Sequence, residues 1–167
     1  KRFLELGKSQ AEVGRMLGLS QGAVSNKTRI LELPIEWLDG SIHPDISASE
    51  AHLREVCVYR SSFTLIQAMA EAIRSDIAEA DAEEPWQLVN VRDWQSDLVD
   101  IVHEVTKPMD GGRYSSKLGR SVPIFTPSDE ERRQLEIVEV TDRWGNGIGE
   151  RAVNTSLWEK LQAKHEA

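Results

Sequence analysis

Apolar residues over the first two thirds of the chain recur at three- and four-residue intervals, the spacing that gathers side chains on one side of an α-helix. Val13, Met16 and Leu17 form one such set, and Val24, Thr28 and Leu31 form a second. Leu53, Val56 and Cys57 follow, then Leu65, Met69, Ile73 and Ile77 at strict four-residue intervals, predicting helices over residues 49–59 and 61–80. Residues 79–84 read as a charged hinge. Beyond it Trp86, Val89, Trp94, Leu98, Ile101, Val102 and Val105 supply the stripe of a helix with Pro85 in its first turn, running to about residue 106. The Trp residues read as core anchors because they share that face with aliphatics.

The period then changes. Leu135, Ile137, Val138 and Val140 make a β-branched-rich run, and Asn146-Gly147 is a hairpin turn signal, so a two-stranded ribbon is predicted over residues 135–153. A short helix starting near Thr126-Pro127, with Asp129, Glu130 and Glu131 in its first turn, precedes the ribbon, and a capped helix from Thr155 follows it. The expected fold is mainly α: a helix-turn-helix followed by a helical bundle, with a small C-terminal α+β or helical segment. Residues 107–127, marked by Pro108, Gly111, Gly112, Gly119, Pro123 and Pro127, read as an irregular linker between a domain at 1–106 and a segment at 128–167. Lys107, Arg113, Lys117 and Arg120, interleaved with Tyr114, suit either a phosphate-wrapping arm or a solvated linker. Gly111-Gly112 lacks the Gly-Lys-Ser/Thr ending of a phosphate loop. Trp144, Leu157, Trp158 and Leu161 offer apolar surface either for dimerisation or for docking on the preceding helices.

Residues 9–34 carry the most specific signal. Ser9 with Glu12 has the spacing of a capping box, Gly18 suits the left-handed turn that ends a helix, and Ser20 can cap the next one. Small Gly14 where two helices cross, Gly18 in the turn and Val24 as the inward anchor match a helix-turn-helix. The alternative is an ordinary helical hairpin with a solvated polar face, which has no need of Gly18, Ser20 and Val24 at these offsets. Gln21, Ser25 and Arg29 recur at i, i+4, i+8 on the outward face, beside Gly22 and Asn26. Asn and Gln can bond adenine bidentately and Arg guanine, Ser can reach a base edge or phosphate, and Gly22 permits close backbone approach. The candidate DNA-binding residues are therefore Ser20, Gln21, Gly22, Ser25, Asn26, Lys27 and Arg29, with Lys8 and Arg15 for phosphates.

The run of residues 24–34, VSNKTRILELP, resembles the end of the helix-turn-helix in ParB proteins and the related KorB repressors, whose pattern is roughly V-S-N-x-L-R-L-L-x-L-P. Residues 37–56 are similar to the next ParB segment, in which a Gly precedes a Ser-capped helix carrying Ala-His-x-Arg, here Ala51, His52, Leu53 and Arg54. Thr28 stands where the family has Leu, and residues 42–45 lengthen the turn before Ser47. The resemblance covers about the first third of the chain. It implies a double-stranded DNA partner, a centromere-like site used in plasmid or chromosome partition, and a partition ATPase as a further partner. A homodimer on symmetric half-sites is expected separately, because one helix-turn-helix on an otherwise acidic chain offers few phosphate contacts. The nucleotide-binding domain that precedes this element in ParB proteins is not represented, so no CTP site is carried over. The chain, starting at Lys1 with eight residues ahead of Ser9, reads as an excerpt of something longer. A repressor without a partition role and an acidic helical adaptor for protein are the alternatives.

Composition adjusts this picture. The 167 residues are 40% hydrophobic and 29% charged, which suits one or two small globular domains. No apolar run reaches the roughly 18 residues of a membrane span, and the start KRFLE has no signal-peptide apolar region, so a cytoplasmic, nucleoid- or plasmid-associated protein without a membrane partner is expected. The net charge of −8 divides as +3 over residues 1–34 and −11 over the rest, concentrating phosphate attraction at the N-terminal end. Cys57 is the only cysteine and reads as a small buried hydrophobe. His43, His52, His103 and His165 lack metal-ligand spacing, and no catalytic motif, metal site or cofactor is expected.

Overall fold

The computed structural model describes residues 2–109, 125–141, 145 and 147–166. The chain is mainly helical with a small three-stranded sheet near its C-terminal end. It divides into two compact units, Lys1–Gln95 and Ser96–Ala167. Among the described residues no helix is long and apolar enough to cross a membrane.

The first unit starts with α1 (Arg2–Glu5), α2 (Gln10–Leu17) and α3 (Gln21–Ile30). Ser9 and Glu12 complete the capping box reciprocally, so α2 starts where two orphan N–H donors find partners. Gly18 ends α2 at φ 67°, and the Ser20 hydroxyl accepts from the Ala23 N–H to start α3. Short helices α4 (Ile35–Leu38) and α5 (Pro44–Ala48) lead to α6 (Glu50–Val56), a 3-10 turn Cys57–Tyr59, and α7 (Phe63–Glu79). Trp37, Ile46, Val56, Leu65, Met69 and Ile73 are buried in this unit.

Several expectations change here. Residues 42–45 do more than lengthen a turn: Pro44 occupies the first turn of α5, and His43 Nδ1 accepts from the Asp45 N–H to cap it. Ser49 precedes α6 without capping it, because its hydroxyl meets His52 Nδ1 instead. Met16 and Leu17, grouped with Val13 on one side of α2 by their spacing, are more than half exposed while Val13 is buried. Leu31 is 46% exposed while Ile30 is buried, since α3 stops at Ile30 and Leu31 lines an open groove of about 390 Å³ with Leu38 and Leu53.

Helix α8 spans Val91–Val105, so it starts six residues after Pro85. The Asn90 carboxamide oxygen accepts from the N–H groups of Arg92 and Asp93, fixing the helix start there. Trp86 and Val89 therefore lie off the helix: the Trp86 ring packs 4.7 Å from that of His43, and the Val89 carbonyl accepts from His52 Nε2 at 2.8 Å. Trp94, Leu98, Ile101 and Val102 keep the buried stripe, with Val105 half-buried.

In the second unit β1 (Lys107–Pro108), β2 (Ile137–Thr141) and β3 (Gly147–Ala152) form an antiparallel sheet of order β1-β3-β2. Lys107 and Pro108 are thus sheet residues, pairing with Ala152 and Arg151, and Met109 is buried in the core. Arg113, Tyr114, Lys117, Arg120 and the Gly111-Gly112 pair lie outside the described residues, as do Trp144 and Asn146. Helix α9 (Asp129–Arg132) starts with a second capping box, Ser128 with Glu131, and α10 (Thr155–Glu166) closes the unit. Trp158 and Leu161, expected to form an interface or to dock on the preceding helices, are buried in this unit's own core with Met109, Leu135 and Ala152. The buried Arg151 donates to Thr106 Oγ1, the Thr106 carbonyl and the His103 carbonyl.

Candidate nucleic-acid interface

The crossing of α2 and α3 rests on one missing side chain. A Cβ on Gly14 would sit 2.6 Å from the Leu19 carbonyl oxygen, a separation that real Cβ atoms do not tolerate. With no Cβ at Gly14, the Leu19 N–H reaches the Gly14 carbonyl at 2.8 Å, and Val24 lies 5% exposed beneath the crossing. Thr28 sends its hydroxyl to the Val24 carbonyl, spending its polar group within α3.

On the opposite side of α3, Gln21, Gly22 and Arg29 are exposed, and Ser25 and Asn26 are half-buried. Only the Ser20 hydroxyl comes within 4 Å of a Cβ placed on Gly22, so space does not require glycine there. Ser20 accepts as a cap and keeps its hydroxyl hydrogen available. Lys27 is exposed but its ammonium is paired with Glu50 of α6, so its charge is shared within the chain. Lys8 and Arg15 are exposed near α2, where Lys8 also helps lower the Glu12 pKa. The main cause of that lowering is the Ser9 backbone N–H, followed by the Ser9 hydroxyl.

The contact of α3 with α6 places two further cations beside this face. Arg54 of α6 and Arg60, just after the 3-10 turn, line a cavity of about 120 Å³ together with Asn26, Arg29, Cys57 and Val58. In the sequence Arg54 stands only as part of Ala-His-x-Arg and Arg60 belongs to no motif, since their approach to α3 depends on tertiary packing and no local pattern marks it. His52 of the same element is structural. It is 8% exposed, held between the Ser49 hydroxyl and the Val89 carbonyl, and its ring meets Trp94 edge-on at 5.9 Å. Burial pushes the Cys57 thiol up to about 11, Glu32 adding to the rise while Arg60 and Arg29 oppose it, so the sulfur stays protonated at neutral pH. Among the described residues no three His, Cys, Asp or Glu side chains gather as a metal site. No family model, curated protein or solved structure matches the chain.

Proposed function

We propose that this protein binds double-stranded DNA sequence-specifically, with α3 in the major groove. The observation that carries this reading is the close α2–α3 crossing at Gly14, which holds the polar face of Gln21, Gly22, Ser25, Asn26 and Arg29 on a short, rigidly seated helix. Gln21, Asn26 and Arg29 have the donors and acceptors that read adenine and guanine edges, and Ser20, Lys8 and Arg15 suit flanking phosphates. The likeness of residues 24–34 and 37–56 to the ParB and KorB group supports a centromere-like target and a role in partition, working with a partition ATPase.

Selection of duplexes from a randomised pool tests the reading. One sequence should be enriched, and Arg29→Ala should weaken it by about 1–3 kcal/mol while leaving the melting curve unchanged. A pool that yields no enriched duplex overturns the proposal. In cells, clustered bound sites beside a partition ATPase gene would support segregation, and isolated promoter sites would assign repression instead.

A further inference from the structure

Three arginines lining one small cavity repel one another even though each is exposed to solvent, and an anion seated among them relieves that repulsion. The cavity beside α3 has this arrangement: Arg29 from α3, Arg54 from α6 and Arg60 from the following turn. Glu32 offsets only one of them, approaching Arg60 Nε at 3.4 Å, while Arg60 Nη1 donates to the Cys57 carbonyl at 3.0 Å. The guanidinium groups of Arg29 and Arg54 have no hydrogen bond or ion pair among the described residues. The remaining wall is neutral: the Asn26 carboxamide, a protonated thiol and the Val58 side chain. The volume of about 120 Å³ is several times the roughly 10–15 Å³ that a single water needs, and suits one tetrahedral oxyanion.

We propose that this cavity seats one phosphate of the DNA backbone, with Arg54 as its main ligand and Arg29 and Arg60 beside it. The proposal rests on the DNA-binding reading above. Asn26 and Arg29 belong both to the candidate reading face and to the cavity wall, so a phosphate held here would lie at the edge of the groove that α3 occupies. The planar guanidinium fork matches phosphate oxygens pairwise, which a lysine cannot do. Base reading by α3 would then be registered against the backbone through α6, a second element.

The test uses the whole chain and a duplex selected by the wild-type protein, with binding followed by fluorescence anisotropy from about 50 to 200 mM salt. Arg54→Gln should lower the slope of log K against log salt by about one and weaken selected and scrambled duplexes by the same factor. Arg54→Lys should restore the slope but only part of the affinity. An unchanged slope for Arg54→Gln, with Arg29→Ala still impairing the selected duplex, overturns the cavity assignment and leaves the DNA-binding reading standing. A wild-type protein that binds no duplex overturns both. A parallel NMR titration of the wild type follows the Arg54 Nε–H and does not depend on any variant folding. A shift with the duplex supports the proposal, and a shift with inorganic phosphate but none with the duplex overturns the backbone source in favour of a free phosphorylated ligand.

Discussion

Gly14 and Gly18 sit four residues apart and are needed for different reasons, which substitution can separate. At Gly14 the constraint is space, since the Leu19 carbonyl oxygen lies 2.6 Å from where a Cβ would go and is backbone that cannot swing away. Gly14→Ala should therefore force α2 from α3 and cost about 1–3 kcal/mol in a thermal melt, with DNA binding falling in parallel. At Gly18 the surroundings are open and the constraint is φ of +67°, so Gly18→Ala should cost about 1–2 kcal/mol through backbone strain alone. Equal losses of DNA binding at matched stability would contradict this separation. In the second unit Glu131 is the informative residue. The Ser128 backbone N–H first, then His165 and the Ser128 hydroxyl, hold its carboxylate down to about 2 from an ordinary 4.5. A depressed carboxylate stabilises the fold when ionised, so its contribution is complete above about pH 4.5 and is lost as pH falls towards 2. Glu131→Gln should flatten the acid limb of a stability-versus-pH curve in that window, and an unaltered limb would refute the assignment.

Elements were legible where a local rule decided them. The Ser9-Glu12 box fixes the start of α2 through side chains three residues apart, the left-handed Gly18 fixes its end through backbone conformation, and the ribbon of β2 and β3 follows from its β-branched run. The start of α8 was not legible in this way, because Pro85 and Asn90 both carry start signals. What favours Asn90 is tertiary: His52 holds the Val89 carbonyl and His43 holds the Trp86 ring, which keeps residues 85–89 out of helical backbone. Asn90→Ala should remove the cap and cost about 0.5–2 kcal/mol, with hydrogen exchange quickening first at Arg92 and Asp93. Protection unchanged at those two amides would count against Asn90 as the start signal. Strand β1 was hidden for a related reason. Lys107 and Pro108 look like linker, and their pairing with β3 joins residues more than forty apart, beyond any periodicity. Of the candidate interface, α3 could be read from spacing, whereas Arg60 and the cavity role of Arg54 come only with the packing of α6.

At the scale of the molecule, residues 1–34 carry +3 and the rest −11, so in the proposed complex a duplex is attracted by α3 and the Arg54–Arg60 cavity and repelled by the acidic balance of the chain beyond them. Lys27 is already paired with Glu50, which trims the attraction further. A single α3 with so few phosphate contacts should bind weakly, and two half-sites about one helical turn apart, read by two copies of the chain, compensate for this. The second copy does not need Trp158 or Leu161 for that contact, because both are enclosed in the core with Met109 and Leu135. Trp158→Ala should accordingly destabilise the second unit by about 3–5 kcal/mol, an intramolecular loss. Light scattering on the protein with a two-half-site duplex should give two chains per duplex, for the wild type and, below its melting temperature, for Trp158→Ala. One chain per duplex at undiminished affinity would rule out the dimeric arrangement, and a Trp158→Ala protein that stays folded but loses the second chain would return the interface to this helix.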